Sequence, residues 1–250
     1  MAGRTFAFGD IHGEIDALER VYAQLPRLAP DDSVVFLGDY LNRGPHPAEV
    51  VSFLRRLATA CPAQVVCLRG NHEDAWLRVI DHGWDAFLLP RAHGCRATYV
   101  SFTGESYDEE LDEAQLERFL SGAFFPPDVV SWLRDLPYWH EDEHAIYVHA
   151  GLAREGDRFL HPRETKPKSA LLWYRSQAFF RDYRGKRVVF GHTSTLQLPE
   201  ELSTWTPDDP TDMWAGPCTT GLDTGCGRGG FLTCLELPAM RVYESRVPPS

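Results

Sequence analysis

Short apolar runs alternate with longer amphipathic stretches along the chain, and these two patterns predict strands and helices respectively. The predicted strands are residues 5–8, 33–37, 64–68, 145–148, 187–190, 231–237 and 241–244. The predicted helices are residues 14–24, 47–60, 73–80, 109–120 and 127–136. Strands and helices alternate in the first half, and the last part reads as strands joined by turns. This order predicts an α/β fold with two sheets and helices outside, in one domain over residues 1–250.

Two segments depart from this alternation. Residues 92–121 are acidic toward their end and lack a strong core pattern, so we expect an inserted cap over a cleft. Residues 199–217 are rich in Pro, Asp, Thr and Trp, which predicts a long loop. Loops of that length are usually functional or mobile, and we expect the same of this one.

Similar polar residues follow five of the predicted strands. The segments are GDIHG (9–13), GDYLNRG (38–44), GNHE (70–73), HAG (149–151) and GHT (191–193). The carboxyl ends of strands line the binding crevice of an α/β sheet, and glycine lets the backbone turn sharply there. Asp, His and Asn side chains suit Mn, Fe or Zn. One such segment is usually a turn or a helix start, but five in order predict a two-metal site of the kind that clamps a phosphoryl group.

The formal net charge of −11 limits the choice of partner. A protein needs a basic surface to bind the phosphate backbone of a nucleic acid, so we do not expect nucleic acid as a partner. A phosphate ester stays compatible with this charge, because metals and arginines can dominate the field of one cleft. The sequence has no apolar run of membrane-span length and no signal-peptide pattern, so we expect a cytoplasmic protein with no membrane partner. None of the six cysteines forms a CxxC pair, so we do not expect a thiolate zinc site. We expect reduced, mostly packed thiols, with a loop disulfide that involves Cys218 as the minor alternative.

The ordered segments resemble those of a known family. They are similar to the PPP-type metal-dependent serine/threonine phosphoprotein phosphatases, in the small bacterial and phage-like branch of the calcineurin-like metallophosphoesterases. The resemblance runs from residue 9 to about residue 235, and LLWYR (171–175) and LDTGCGRGG (222–230) also fit that branch. It implies a two-sheet β-sandwich flanked by helices.

The resemblance also implies roles for individual residues. The first metal would be held by Asp10, His12 and Asp39. The second would be held by Asp39, Asn71, His149 and His192, with Asp39 bridging the two. The ions would be two divalent or trivalent metals, Mn above all, with Fe or Zn as alternatives. A hydroxide between them would attack phosphorus, Arg43 and Arg175 would grip the phosphate oxygens, and His72 would protonate the leaving oxygen.

Asn42 departs from the family pattern, which has an aspartate at this position that pairs with the catalytic histidine. An amide cannot stabilise the imidazolium form of His72 by charge, so we expect His72 to be a weaker proton donor at neutral pH or to be supported by another acid. Phosphotyrosine leaves as a phenolate whose conjugate acid has a pKa of about 10, whereas a serine alkoxide is far more basic. The substitution therefore predicts a larger penalty on phosphoserine than on phosphotyrosine.

These observations lead to one leading function and two rivals. We expect hydrolysis of phosphoserine and phosphothreonine in phosphorylated proteins or peptides, with phosphotyrosine as a further substrate and the oligomeric state left open. The rivals are a symmetrical bis(5'-nucleosyl)-tetraphosphate hydrolase and a catalytically silent phosphopeptide-binding module. Glu73 and the LDTGCGRGG segment favour the protein phosphatase, and the complete set of metal ligands argues against the silent module.

The remaining polar and aromatic residues are expected to have structural roles. Asp223 and Arg228 would shape the glycine-rich loop near the second metal. Trp173 and Tyr174 fit core packing at least as well as a cleft wall. The other histidines are expected at the surface or in packing positions: His46, His82, His93, His140, His144 and His161.

Overall fold

The computed structural model describes residues 3–106 and 110–246. Its strands are β1 (Thr5–Phe8), β2 (Ser33–Phe36), β3 (Gln64–Cys67), β4 (Trp139–Glu141), β5 (Ile146–Val148), β6 (Arg154–Glu155), β7 (Arg158–Phe159), β8 (Val188–Phe190), β9 (Trp214–Ala215), β10 (Thr219–Gly221), β11 (Thr233–Leu237) and β12 (Arg241–Glu244). Its α-helices are α1 (Ile15–Gln24), α2 (Pro47–Ala60), α3 (Asn71–His82), α4 (Cys95–Thr103), α5 (Glu113–Ser121), α6 (Pro127–Asp135), α7 (Ala170–Trp173) and α8 (Gln177–Asp182).

The strands form two five-stranded sheets and one two-stranded ribbon. The first sheet has the order β12-β11-β1-β2-β3, the second has the order β4-β5-β8-β10-β9, and β6 pairs with β7. In the first sheet β1, β2 and β3 are parallel, and Phe8, Phe36 and Cys67 are aligned across them. In the second sheet β5, β8 and β10 are parallel. Parallel strands place their carboxyl ends at one edge, which gathers the segments that follow them.

Alternate residues of the central strands pack into different cores, as the period of a strand requires. Ala7 of β1 lies in a core with Tyr147 of β5 and Val189 of β8, so this core fills the space between the two sheets. Phe6 and Phe8 point the other way, into the core covered by α1, α2 and α3. On the outer face of the second sheet, a third core includes residues of α7 and α8. The prediction of a two-sheet α/β sandwich flanked by helices is therefore confirmed.

Helix α3 begins two residues earlier than predicted. Glu73 in the first turn explains the start, because its carboxylate accepts a hydrogen bond from the backbone N–H of Gly70, which precedes the helix. The helix ends at His82, and the next residue, Gly83, has a φ of 65°, the left-handed conformation common at this position. As a result Asn71 and His72 lie in the first turn, at the carboxyl edge of the first sheet.

The predicted cap segment contains two helices. Helix α4 buries Cys95, Ala97, Thr98 and Tyr99, and the Thr98 hydroxyl accepts a hydrogen bond from the backbone of Asn42 at 2.8 Å. Helix α5 starts after the N-cap Asp112, later than the predicted residue 109, which lies outside the described residues. Segment 92–121 therefore packs against the loop that follows β2, and a capping role for it stays a prediction.

The predicted loop at 199–217 is only partly irregular. It contains the 3-10 helix Glu200–Leu202 and strand β9, and Met213 and Trp214 are buried there. All six cysteines lie in the described part of the chain, and all are free thiols, as expected. Within residues 3–106 and 110–246, no helix has the length and the apolar character that crossing a bilayer requires.

Candidate active site

The segments that follow five strands converge at one edge of the sandwich. Asp39 lies at the centre of this convergence. Its Oδ2 is 3.4 Å from His12 Nε2, and its Oδ1 is 3.4 Å from His149 Nε2. The Oδ1 atom of Asn71 is 2.8 Å from both His149 Nε2 and His192 Nδ1. The structure thus places one carboxylate between two groups of ligand atoms, as a bridging role requires.

Two groups of side chains have ligand atoms within 4.8 Å of one another: His12, Asp39 and His72, and Asp39, His149 and His192. Asp10 is slightly further from the first group, with its Oδ2 3.9 Å from His12 Nε2. Its carboxylate accepts a hydrogen bond from the backbone N–H of His192 at 3.1 Å. All six predicted metal ligands therefore lie together, and His72 also comes within reach of the first group.

Backbone carbonyl groups fix the tautomers of two histidines. His12 Nδ1 is 2.9 Å from the oxygen of Leu41, and His149 Nδ1 is 2.9 Å from the oxygen of Leu37. A carbonyl oxygen only accepts, so each Nδ1 carries the proton and each Nε2 presents its lone pair toward Asp39. Such hydrogen bonding behind the ring is typical of metal-ligating histidines. The donor set fits the expected ions, and two bound cations would polarise the phosphoryl group and acidify water.

The electrostatics of the site also favour a bound cation. Burial raises the pKa of Asp10 well above its usual range, and the neighbouring carboxylates of Asp223 and Asp39 raise it further. Burial raises the pKa of Asp39 to about 7, although Arg43 opposes the change. Burial lowers the pKa of His12 well below its usual value. A positive ion would stabilise the ionised carboxylates beside neutral imidazoles.

Many of the site residues have a strained backbone. The φ angles of five of them are positive: 47° for His12, 56° for Asp39, 72° for Asn42, 68° for Arg43 and 64° for His192. Among the described non-glycine residues, only Met240 shares this feature. The left-handed conformation costs a residue with a side chain about 1–2 kcal/mol. Contacts with other loops maintain this conformation, such as the hydrogen bond from the backbone N–H of His12 to the backbone carbonyl oxygen of Asp39 at 2.8 Å.

Glu73 connects the loop after β2 to the loop after β3. Its carboxylate accepts hydrogen bonds from the backbone N–H groups of Gly70, Asp39, Tyr40 and Leu41, at 2.9, 2.9, 2.9 and 3.2 Å. The sequence had suggested this residue only as a family feature. The structure shows that it fixes the position of the loop that carries Asp39 against the loop that carries Asn71.

We expect Gly70→Ala to displace Asp39 and to lower turnover. A Cβ atom at Gly70 would lie 2.2 Å from Asp39 Oδ1 and 2.3 Å from the Asp39 backbone nitrogen, so the loop must move. A shift of about 1 Å at a catalytic group costs about 10²-fold in rate. Turnover of p-nitrophenyl phosphate measures the effect. Gly83→Ala is the matched control, because Gly83 has a positive φ but no atom within 4 Å of its added Cβ; equal activity in both variants would contradict this account.

Asn42 holds His72 in one hydrogen-bonding state. Its Oδ1 accepts from Trp76 Nε1 at 2.8 Å and from the Thr98 hydroxyl at 2.7 Å. These two donors assign the amide orientation, so Asn42 Nδ2 is the atom that lies 2.6 Å from His72 Nδ1. Because Nδ2 can only donate, the shorter contact makes His72 Nδ1 the acceptor and puts the ring proton on Nε2. Arg43 Nη2, a donor 3.3 Å from Nε2, then makes no hydrogen bond to this ring. Burial also lowers the pKa of His72 well below its usual value.

The two predicted phosphate-binding arginines both reach the site. Arg43 Nη1 is in hydrogen-bonding contact with His12 Nε2, and Arg43 Nη2 is 3.3 Å from His72 Nε2. Arg175 is exposed, and its Nη2 donates to the backbone oxygen of His192 at 3.1 Å. The guanidinium groups therefore lie at predicted ligands of the first and the second metal respectively.

Two neighbouring features have contacts beyond those that were expected. His93 is in a packing position, as expected, because its ring stacks on Phe87, and it also lies 6.3 Å from the ring of His72. The glycine-rich loop was expected near the second metal; Asp223 accepts from Thr195 N there, and a Cβ atom at Gly227 would also lie 2.6 Å from the Cβ of His12, a predicted ligand of the first metal. Neither contact has a signal in the sequence, because each depends on how distant loops meet.

Trp173 lies at the edge of the site as well as in the core. Its indole N–H donates to Asp74 Oδ2 at 3.2 Å, and its ring lies 6.5 Å from the ring of His192. It also packs against the core that covers the first sheet. Core packing is therefore confirmed for Trp173, and a place in the cleft wall stays a prediction.

A model of the calcineurin-like phosphoesterase family matches residues 3–196 of the chain. The chain belongs to the calcineurin-like phosphoesterase family. Members of this family use a dinuclear metal site, in agreement with the two groups of ligands that share Asp39. A 65-residue stretch of this phosphoesterase is 38% identical to a catalytic subunit of protein phosphatase 2A from Dictyostelium discoideum. That match covers 26% of the chain and 20% of the relative, so most of the relative's length is unmatched.

Solved structures share the fold of this phosphoesterase over nearly its whole length. A putative diadenosine tetraphosphatase superposes with a TM-score of 0.57 at 21% identity, covering 98% of this chain and 93% of the other. A cold-active protein-tyrosine phosphatase of a psychrophilic Shewanella gives 0.57 at 17% identity, with coverages of 98% and 78%. A protein serine/threonine phosphatase of Saccharomyces cerevisiae, similar to human phosphatase PP5, gives 0.54 at 15% identity, with coverages of 100% and 81%.

Proposed function

We propose that this phosphoesterase is a phosphoprotein phosphatase that hydrolyses phosphotyrosine faster than phosphoserine or phosphothreonine. The short match to a catalytic chain of protein phosphatase 2A supports a protein substrate. The structural neighbours include both a serine/threonine and a tyrosine phosphatase, so the fold is compatible with either amino acid. The observation that favours phosphotyrosine is the hydrogen bond from Asn42 to His72 Nδ1.

Different residues of the chain would have different roles in the reaction. Arg43 and Arg175 would bind phosphate oxygens through paired N–H donors and orient the ester at the metal ligands. His72 presents its Nε2–H toward the leaving oxygen when the P–O bond breaks. A second proton on His72 Nδ1 would face the N–H of Asn42, so the doubly protonated ring is disfavoured. His72 can therefore donate a hydrogen bond readily, but it transfers a proton poorly.

Poor proton transfer affects the two substrate classes unequally. A phenolate has a conjugate-acid pKa of about 10 and departs with little protonation. A serine or threonine alkoxide is far more basic and needs the proton more. General acid catalysis contributes about 10²–10⁴-fold where it operates, so its weakening selects for aryl esters. This argument supports phosphotyrosine as the preferred substrate.

We expect Asn42→Asp to raise kcat/KM for a phosphoserine peptide by about tenfold or more, with a much smaller gain on the matching phosphotyrosine peptide. A carboxylate at this position would accept from His72 Nδ1–H and stabilise the imidazolium by charge. The measurement is phosphate release from the two peptides with Mn²⁺ present. Asn42→Gln provides a neutral comparison. A gain of the same size on both peptides would argue that Asn42 does not set the preference.

A simple assay separates this proposal from the phosphopeptide-binding module. The wild-type protein should turn over p-nitrophenyl phosphate with Mn²⁺ and lose that turnover when a chelator is added. A folded protein that binds phosphopeptides but stays inert with every divalent ion would favour the binding module instead.

A second candidate is symmetrical hydrolysis of dinucleoside tetraphosphates. The same hydrogen bond from Asn42 favours it, because a phosphate leaving group in an anhydride needs even less protonation than a phenolate. The likeness to a putative diadenosine tetraphosphatase is compatible with it. Chromatography of the products decides the matter: two nucleoside diphosphates per tetraphosphate would establish this activity, whereas phosphate release from phosphopeptides alone would favour the protein phosphatase.

A further inference from the structure

A cavity of about 450 Å³ lies between residues 194–197 and the glycine-rich turn at 225–230. Both of its walls are continuous with the active site. Ser194 is two residues beyond His192, and Thr195 N donates to the backbone oxygen of Asp223 at 3.0 Å. In the turn, Gly227 packs against His12. Each wall of the cavity is therefore close along the chain to residues of the site, and the cavity volume is in the range of small-molecule sites.

The charge of the residues that line the cavity favours an anionic ligand. Among the described residues that line the cavity, Arg228 is the only charged one. The rest of the lining consists of hydroxyl groups, such as those of Thr211 and Thr224, glycine backbone, Gln197, and the apolar side chains of Leu196 and Phe231. The chain as a whole carries a formal net charge of −11. A lining with one arginine and no carboxylate is complementary to a negatively charged group.

Arg228 is held in place but retains free donors. Its Nη2 donates to Asp223 Oδ2 at 2.6 Å, and Asp223 Oδ1 accepts from Gly225 N at 3.1 Å. Asp223 is buried, whereas the Arg228 side chain is 35% exposed. A guanidinium has five N–H donors, and only Nη2 has a side-chain acceptor within residues 3–106 and 110–246. Arg228 is thus preorganised to donate to a ligand in the cavity.

We propose that Arg228 and this cavity bind a second anionic group of the substrate, next to the phosphate that is hydrolysed. Arg43 and Arg175 contact the metal ligands and do not line the cavity, so the three arginines serve two different groups. This inference extends the proposed phosphatase function to substrates with two anionic groups. The second group is either a neighbouring phosphate in a phosphate chain or an acidic side chain beside the phosphorylated residue.

The first test compares a diphosphonate with a monophosphonate. Calorimetry on the Mn²⁺-loaded protein measures the affinities of methylenediphosphonate and methylphosphonate for the wild type and for Arg228→Gln. Glutamine can still donate to Asp223, but it loses the charge. We expect the variant to bind the diphosphonate about 10–100-fold more weakly and the monophosphonate within about twofold of the wild type. The exposed Arg163→Gln has the same change in net charge and should leave both affinities unaltered.

A second variant keeps the test valid if Arg228→Gln folds poorly. Leu196 lines the cavity and is 64% exposed, so it can be replaced without removing a core residue. Leu196→Asp adds a negative charge to the cavity and should weaken diphosphonate binding by about tenfold, since like charges repel each other at this distance. Leu196→Asn is the neutral control and should bind the diphosphonate as the wild type does.

Two phosphotyrosine peptides identify the source of the second anion. They differ only in a glutamate or a glutamine beside the phosphorylated residue. A preference for the glutamate peptide that disappears in Arg228→Gln assigns the cavity to an acidic side chain. If Arg228→Gln weakens diphosphonate binding but the two peptides are hydrolysed equally well by the wild type, the cavity is assigned to a phosphate chain.

Two outcomes would overturn the inference. One is unchanged diphosphonate affinity and unchanged peptide preference in both Arg228→Gln and Leu196→Asp. The other is an equal loss for monophosphonate and diphosphonate, which would mean that Arg228 binds the hydrolysed phosphate itself. Diphosphonate binding needs no turnover of phosphopeptides, so failure of the proposed protein phosphatase function would be seen separately.

Discussion

Asp39→Asn should lower turnover of p-nitrophenyl phosphate by about 10³-fold or more. Each carboxylate oxygen of Asp39 lies beside a different group of ligands, 3.4 Å from His12 Nε2 and 3.4 Å from His149 Nε2. An amide has only one acceptor oxygen, so it cannot serve both groups. Two-metal sites contribute several kcal/mol of charge stabilisation to the transition state, and each 1.36 kcal/mol is about tenfold in rate, which gives this magnitude.

The test of Asp39→Asn needs a structural readout beside the rate. Metal content per chain, measured by mass spectrometry after dialysis against Mn²⁺, should fall below that of the wild type. Far-UV circular dichroism should stay unchanged, because the substitution keeps the side-chain shape. Asp157→Asn is the matched control, since Asp157 is fully exposed. If the variant retained two metals and near-normal turnover, Asp39 would not be the residue that bridges the two metals.

Glu73→Gln should lower the free energy of unfolding by about 2–6 kcal/mol. Four backbone N–H groups donate to the Glu73 carboxylate, including those of Asp39 and Leu41. A glutamine carbonyl can accept about two of these, and its own N–H groups face the others. Each buried donor that is left without an acceptor costs about 1–3 kcal/mol, and two such donors give this range.

Denaturant unfolding in the presence of a chelator measures the Glu73 effect apart from any loss of metal. Glu200→Gln is the control, because Glu200 is exposed. For a chain of this length, each 1 kcal/mol corresponds to a fall of about 2–4 °C in Tm, so thermal unfolding should agree with the denaturant result. A change below about 0.5 kcal/mol, the size typical of a surface substitution, would show that the loops are held in place by other contacts.

The sequence predicts the central strands and the convergence of the candidate metal ligands well, because both have local signals. Strands β1 to β3 are short apolar runs, and each is followed by glycine and a ligand residue type. Helix α4 has no such signal. Its buried face includes Cys95, Ala97 and Thr98, which are small or polar, so the segment lacks the pattern of a core helix. Strand β10 is made of Thr219–Gly221 and becomes a strand only because it lies between β8 and β9.

The parts of the site that the sequence could not predict depend on contacts between distant loops. The sequence identified Asn42 as a departure, but not the two donors, Trp76 and Thr98, that set its amide orientation. It likewise placed Arg228 in a turn without showing that the guanidinium faces a cavity. Such facts need the relative positions of α3, α4 and the glycine-rich turn, and hydrophobic periodicity does not contain them.

The left-handed backbone at the ligands has a consequence for engineering. Glycine adopts the φ values of Asp39, Arg43 and His192 without strain, so replacing any of these residues by glycine relieves a local cost. A laboratory selection for heat resistance alone would therefore reward the loss of chemically essential side chains. A selection for thermostable variants of this protein must therefore also measure catalytic activity in every round, or it will enrich stable variants that are inactive.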